Sequence, residues 1–317
     1  MPTGSGTTLA DVGEFGLIDA LRPMFAQGER VILGPGDDAA ILAVPSGQVV
    51  VSTDLLVEGR HFRRDWSAAR EIGRKAAAQN LADLMAMGGT GTGLVVGFGA
   101  PPDLPLAWAL ELAAGLAEES AVVGASVLGG DVTRSDQIVL AVTVLGQCER
   151  PVRRDGARPG DVVALAGRIG WAAAGQAVLG RGFRSPRVVV EAHRRPEPPY
   201  AEGPRAAELG ATAMIDVSDG LLADLGHIAA ASRVAIDVHT DAFDLAEPLQ
   251  AVGAALGVDP LGFVLAGGED HPLAASFPVG VDLPASWTVI GSVAEGEGVT
   301  VDGAEWDGPR GNDHFRS

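Results

Sequence analysis

Lysine is almost missing from this 317-residue chain: Lys75 is the only one, and arginine supplies the remaining fixed positive charge. An anionic ligand must therefore be held by arginines, backbone amides or metal ions. The formal net charge of −18 argues against a nucleic-acid backbone or an anionic membrane as partner. A single cysteine, Cys148, rules out an internal disulfide and fits a reducing compartment. It closes the apolar run 138–146 and reads as core or strand end rather than as a thiol nucleophile. Residues 1–16 lack the basic segment and apolar stretch of a secretory signal. Apolar runs such as 94–98 and 162–166 are far too short to cross a bilayer, so the expected location is the cytoplasm. The Walker pattern G-x-x-x-x-G-K-[ST] is missing too, since Ala76 follows Lys75 and no glycine loop precedes it. The protein-kinase catalytic set is likewise absent. No His/Cys cluster is present to suggest zinc. The glycine-rich pieces 88–93 and 97–99 are too weak to establish a dinucleotide fold.

What is present suits two globular domains. Apolar residues make up 47% of the chain and charged ones 20%, enough to bury a core without disulfides or structural metals. Periodicity predicts helices over 15–25, 67–87 and 106–121, with strands at 48–53, 94–98, 127–128 and 138–145. The Arg, Pro and Gly of 150–160 read as a junction, dividing the chain into domains 1–149 and 150–317. Beyond it, strands are expected at 162–166, 214–217, 234–238, 274–277 and 288–292, and helices at 171–179 and 221–231. The stretch 191–204 reads as a proline-rich connection. The fold class is α/β (α+β).

Acidic groups recur where an apolar strand or helix ends, most of them beside glycine: Gly36-Asp37-Asp38, Ser52-Thr53-Asp54, Asp83, Gly129-Gly130-Asp131, Asp216-Val217-Ser218-Asp219-Gly220 and Gly267-Gly268-Glu269-Asp270. Glycine lets the backbone turn sharply and approach a ligand. Carboxylates at strand ends point into the crevice where α/β proteins bind ligands. Brought together they repel one another unless cations neutralise them, and hard oxygen donors suit Mg²⁺. Each motif alone has a plain structural reading, as a turn, a strand end or a helix N-cap. Asp83 is harder to set aside, because it lies three residues after Asn80 on one face of an Ala/Leu/Met-rich helix. Asp219 opens a helix, where it either caps the first turn or serves a metal bridging to phosphate.

The ordered motifs resemble the thiamine-monophosphate kinase family of the aminoimidazole-ribonucleotide-synthetase-like superfamily. The match runs from Gly13-Glu14-Phe15 and Gly34-Pro35-Gly36-Asp37-Asp38 through Ser52-Thr53-Asp54-Leu55-Leu56-Val57-Glu58-Gly59-Arg60-His61-Phe62 to Asn80-Leu81-Ala82-Asp83 and Gly129-Gly130-Asp131. It continues through Arg154-Asp155-Gly156, Asp216-Val217-Ser218-Asp219-Gly220 and Gly267-Gly268-Glu269-Asp270, and closes at Asp313-His314-Phe315. The resemblance implies phosphoryl transfer from ATP to thiamine monophosphate, giving thiamine diphosphate, with several Mg²⁺ ions. It implies Mg²⁺ ligation by Asp38, Ser52, Thr53, Asp54, Asp83, Asp131, Asp216 and Asp219, and ATP contacts from Gly130, Asp131, Arg154 and Ser218. His61 and Glu269 would meet the substrate, and Asp37 would stand behind the metal ligands. A homodimer is implied, with N-terminal sheets packed into a shared barrel and a C-terminal α/β domain completing the active site. No residue is assigned as a general base.

Two departures concern the substrate end. The family usually follows Gly-Gly-Glu-Asp with an aromatic and an acidic residue, where this chain has His271 and Pro272. It usually carries Trp or Tyr before Asp-His-Phe, where this chain has Asn312, placed here among the substrate-binding positions. Losing an aromatic contact costs on the order of 1 kcal/mol. Two other readings compete: a non-catalytic sensor of nucleotide or thiamine phosphates, and a related enzyme such as aminoimidazole ribonucleotide synthetase. Selenophosphate synthetase and a carbamoyl-dehydrating maturation protein are disfavoured, since each needs a terminal cysteine this chain lacks.

Overall fold

The computed structural model describes residues 6–34, 41–45 and 47–312. The chain divides into two compact units, Met1–Leu84 with Thr90–Glu149, and Met85–Gly89 with Arg150–Ser317.

The first unit is built on a four-stranded sheet in the order β3-β6-β4-β5, comprising β3 (Val50–Val57), β4 (Thr90–Ala100), β5 (Ser126–Arg134) and β6 (Val139–Gln147). β6 pairs antiparallel with β3 and β4, while β4 and β5 run parallel. A short antiparallel pair, β1 (Val31–Leu33) and β2 (Ile41–Leu42), stands apart from this sheet. Helix α1 (Leu9–Leu21) precedes it; α2 (Ala69–Ala86) and α3 (Leu106–Val122) follow β3 and β4. α2 forms because its interior is mostly Ala, Leu, Met and long straight-chain residues. The Glu71 carboxylate accepts the Ala68 N–H just before the first turn. Leu56, Ile72, Leu84, Leu94, Ile138 and Leu140 are fully buried in this unit. The other face of the sheet is open: Val51 and Leu55 are each 57% exposed and Val95 39%.

The second unit carries a six-stranded sheet in the order β12-β9-β11-β7-β10-β8. Its strands are β7 (Val162–Ala166), β8 (Ala213–Asp216), β9 (Ala235–Val238), β10 (Leu273–Phe277), β11 (Trp287–Ala294) and β12 (Gly298–Val301), all antiparallel except β12 with β9. Six helices join them: α4 (Trp171–Gly180), α5 (Arg187–Arg194), α6 (Glu202–Leu209), α7 (Leu221–Ser232), α8 (Glu247–Leu256) and α9 (Leu261–Ala266). Its core contains Leu179, Met214, Ile215, Leu221 and Phe277.

The sequence reading departs from this fold in three instructive places. Asp54 and Asp131 lie inside strands, not at their ends, because β3 runs to Val57 and β5 to Arg134. The proline-rich connection contains the second half of α5 and the start of α6. Pro196, Pro198 and Pro199 fall between these helices, and Pro204 sits in the first turn of α6, where its missing N–H leaves no bond unmade. The first helix begins at Leu9, earlier than the apolar pattern suggested.

Candidate functional site

In the first unit, β3 and α2 lie side by side and share a row of polar bonds. Successive strand residues point to opposite faces, so Ser52 and Asp54 reach α2. Ser52 Oγ donates to Asp83 Oδ2 at 2.6 Å. Gln79 Nε2 donates to Asp54 Oδ2 at 3.3 Å. The Asp54 N–H donates to Asn80 Oδ1 at 3.0 Å, and Asn80 is held in turn by donating to the Ala76 carbonyl at 2.8 Å. Asn80 and Asp83 do share one face, as their spacing implied. The two carboxylates thus accept from hydroxyl and amide groups, and both remain partly exposed. Gln79 was missed in the sequence; its signal is the four-residue step to Asp83.

Thr53 points the other way. Its Oγ1 donates to the Val142 carbonyl at 3.0 Å and lies 3.0 Å from Thr143 Oγ1, so its hydroxyl stands apart from the Ser52, Asp54 and Asp83 side chains. Gly130 and Asp131 are exposed on edge strand β5, and register aligns Asp131 with Gly97, Ala141 and Leu55. Position 130 must be glycine, because a Cβ there would stand 1.8 Å from the Val96 carbonyl oxygen. His61 closes a tight turn after β3. Its Nδ1 accepts the Val57 N–H at 3.0 Å, which leaves the ring proton on Nε2. Asp37 and Asp38 lie outside the described residues.

In the second unit, two loops meet at the end of β8. Asp216 is buried, and its Oδ2 lies 3.1 Å from His271 Nδ1. The family departure at His271 therefore packs against a candidate ligand. Asp224 Oδ2 accepts the N–H groups of Ser218, Asp219 and Gly220 at 3.0, 3.1 and 3.1 Å. This settles one open question from the sequence. Asp219 does not cap α7: the N-cap is Gly220, without a side-chain cap bond, and the three amides just before the helix, at 218–220, are taken by Asp224. Sequence reasoning passed over Asp224, whose signal is its position in the first turn. Burial pushes its carboxyl up to about 7, against the pull of the Gly220 amide, and the charges of Asp216 and Asp219 push the same way.

The loop 267–272 lies directly on this turn. Glu269 N–H donates to the Ser218 carbonyl at 2.9 Å, and a Cβ at Gly268 would come within 2.0 Å of the same oxygen. Glu269 and His271 both have positive φ, 71° and 54°. Such strain costs on the order of 1 kcal/mol per residue and gathers at working sites. Asp270 Oδ1 accepts the Ala172 N–H at 2.9 Å in the first turn of α4. Burial pushes its carboxyl up to about 7, against the Ala172 amide and the positive charge of Arg168. The tail returns to the same turn: the N–H of exposed Asn312 donates to the Asp219 carbonyl at 2.9 Å. Trp306 donates its indole N–H to the Pro309 carbonyl within the tail. Arg153 is paired with Asp155, while Arg154 is exposed and its carbonyl accepts from Ser232 Oγ at 2.8 Å.

Among the described residues, no three His, Cys, Asp or Glu side chains are already disposed around a metal ion. The donors available are nonetheless of one chemical kind, carboxylate and hydroxyl oxygen, which fits a hard divalent cation.

Known proteins resemble this chain over nearly its whole length. Residues 36–148 match the family described as AIR synthase related protein, N-terminal domain. The thiamine-monophosphate kinase of Mycobacterium tuberculosis is 48% identical, over 97% of this chain and 93% of that protein. The crystal structure of thiamine-monophosphate kinase from Stenotrophomonas maltophilia superposes with a TM-score of 0.81 at 33% identity, covering 93% of this chain and 98% of that one. AaThiL complexed with AMPPCP and TMP also gives 0.81, at 32% identity over 98% of this chain and 99% of that one. This chain belongs to the thiamine-monophosphate kinase family of phosphotransferases.

Proposed function

We propose that this enzyme transfers the γ-phosphoryl group of ATP to thiamine monophosphate, giving thiamine diphosphate and ADP. The observation that carries the reading is its likeness, over 98% of the chain, to a protein solved with AMPPCP and TMP. A terminal phosphate oxygen of thiamine monophosphate attacks the γ-phosphorus as the bond to the β-phosphate oxygen breaks, and ADP leaves with that electron pair. The acceptor phosphate, with a second pKa of about 6, is mostly ionised near neutral pH, so no general base is needed.

The difficulty is to bring two anions together in a lysine-poor protein of net charge −18. Ser52, Asp54 and Asp83 in the first unit, and Asp216 and Asp219 in the second, would hold Mg²⁺, with Asp38, Thr53 and Asp131 as further ligands. When bound, Mg²⁺ supplies charge neutralisation and favours in-line alignment of the phosphates. Gln79 and Asn80 keep Asp54 in place, and Asp224 keeps the Ser218–Asp219 turn in place. Gly130, Asp131, Arg154 and Ser218 would meet ATP; His61, Glu269 and Asn312 would meet the thiamine phosphate. Titration calorimetry with ATP and both thiamine phosphates, beside ADP release with and without the acceptor, tests this. Acceptor-dependent ADP release supports the kinase. Tight binding of the thiamine phosphates without turnover would point instead to a sensor.

The open face of the first sheet supports a homodimer, because Val51, Leu55 and Val95 form an apolar surface that helices leave uncovered. Leu55→Asp is expected to turn a dimer into a monomer by sedimentation velocity; a wild type that is monomeric at micromolar concentration would oppose the reading. No helix among the described residues is long and apolar enough to cross a membrane. With the single cysteine, this is in keeping with a cytoplasmic location.

A further inference from the structure

We propose that Lys75, the only lysine of the chain, is a positioning residue that sets the substrate-facing turn at His61. The inference rests on His61 as a substrate contact and adds a residue to which no role has been assigned. Lys75 lies on α2 one turn before Gln79 and two turns before Asp83, so the three share a helix face. Gln79 and Asp83 serve Asp54 and Ser52, as described, and Lys75 extends the row to the end of β3. It is only 3% exposed, and its Nζ donates to the His61 carbonyl at 3.3 Å.

A buried ammonium is costly unless polar groups receive it. A methionine would fill a similar volume without that cost, so the charge argues for a task beyond packing. The turn it meets is tightly wound. Val57 O accepts the N–H groups of Arg60 and His61 at 3.1 and 3.0 Å, and Gly59 N–H donates to Phe62 O at 2.8 Å. Buried Phe62 anchors its far side. His61 is thus held by Lys75 at its carbonyl and by Val57 at both its backbone N–H and its ring. The result is a neutral imidazole with Nε2–H as a fixed donor for an acceptor atom of the substrate. One helix then places both the carboxylates and this donor.

Because the chain has one lysine, protein labelled with ¹⁵N-lysine gives one ammonium signal. In the ligand-free wild type we expect slow exchange with water and a scalar coupling to the His61 carbonyl carbon. Fast exchange at a free-lysine shift would overturn the proposal without any variant. Lys75→Met is expected to raise KM for thiamine monophosphate about tenfold or more, the scale of a misplaced contact, with most of the loss in KM and little change in KM for ATP. Lys75→Gln, which retains a donor, should restore part of it. In a His61→Ala background Lys75→Met should add less than about twofold, because the two act through one contact. Full additivity of the two changes, or a lowered melting temperature with KM unmoved, would overturn the proposal. Should the wild type not use thiamine monophosphate, the functional reading fails, while the lysine signal still reports on the Lys75–His61 bond.

Discussion

The two carboxylate groups of this enzyme are held by opposite means. Beside α2, Asp54 and Asp83 receive side-chain donors from Gln79 and Ser52 and remain partly exposed. At the start of α7, Asp224 is 3% exposed and grips three consecutive amides, with Asp216 buried nearby. The first arrangement fixes the direction of its charges at little cost, because water still reaches them. The second shapes backbone and concentrates negative charge in a poorly solvated place, so its carboxyl titrates late. Residues that work on the ligand and residues that hold the turn are therefore separable by experiment.

The sharpest test of that division is Asp83→Ala. Turnover at saturating Mg²⁺ is expected to fall at least about a hundredfold, the scale of losing one group that stabilises transferring charge. Unfolding in urea should shift by less than about 1 kcal/mol, since Asp83 is only half-buried. Near wild-type turnover would remove Asp83 from the machinery. Asp224→Ala should behave in reverse, losing about 2–4 kcal/mol of stability as buried amides lose their acceptor. A variant as stable as wild type would show that the turn does not depend on Asp224.

A smaller effect concerns pH. Asp224 and Asp270 both have carboxyls raised to about 7 in the folded protein, from 3.8. Between those values the folded state holds more protons than the unfolded one, so stability falls as pH rises. Their contribution is present below about pH 4 and is lost by about pH 7. Asp270→Asn keeps an acceptor for the Ala172 amide and cannot ionise, so it should flatten the decline measured by urea unfolding at pH 5 and pH 8. An undiminished slope in this variant would take Asp270 out of the account.

Much of this site was legible in the sequence, and the limits have physical causes. The three-residue step from Asn80 to Asp83 survives folding because helix periodicity is rigid, and both side chains meet β3. Ser52-Thr53-Asp54 was recognised as a group but placed at a strand end. The β-branched run stops at Thr53, and the partners that seat Ser52 and Asp54 inside the strand come from α2, elsewhere in the chain. Thr53 shows the other limit: adjacency in a strand puts neighbours on opposite faces, so its hydroxyl bonds Thr143 instead. Asp224 was passed over because its partners are backbone amides, and His271 stood out only as a departure at the substrate end because its partner, Asp216, lies on another segment. The helices flanking Pro196–Pro199 were hidden by prolines that end helices as readily as they exclude them.

The central claim, that these oxygen groups serve transfer between two phosphates, is met most directly by following ³¹P resonances. The wild-type enzyme would be observed with ATP, Mg²⁺ and thiamine monophosphate. The account predicts that thiamine diphosphate and ADP appear in equal amounts, only when all three are present. ADP formed with inorganic phosphate, or no change in the spectrum, would contradict it.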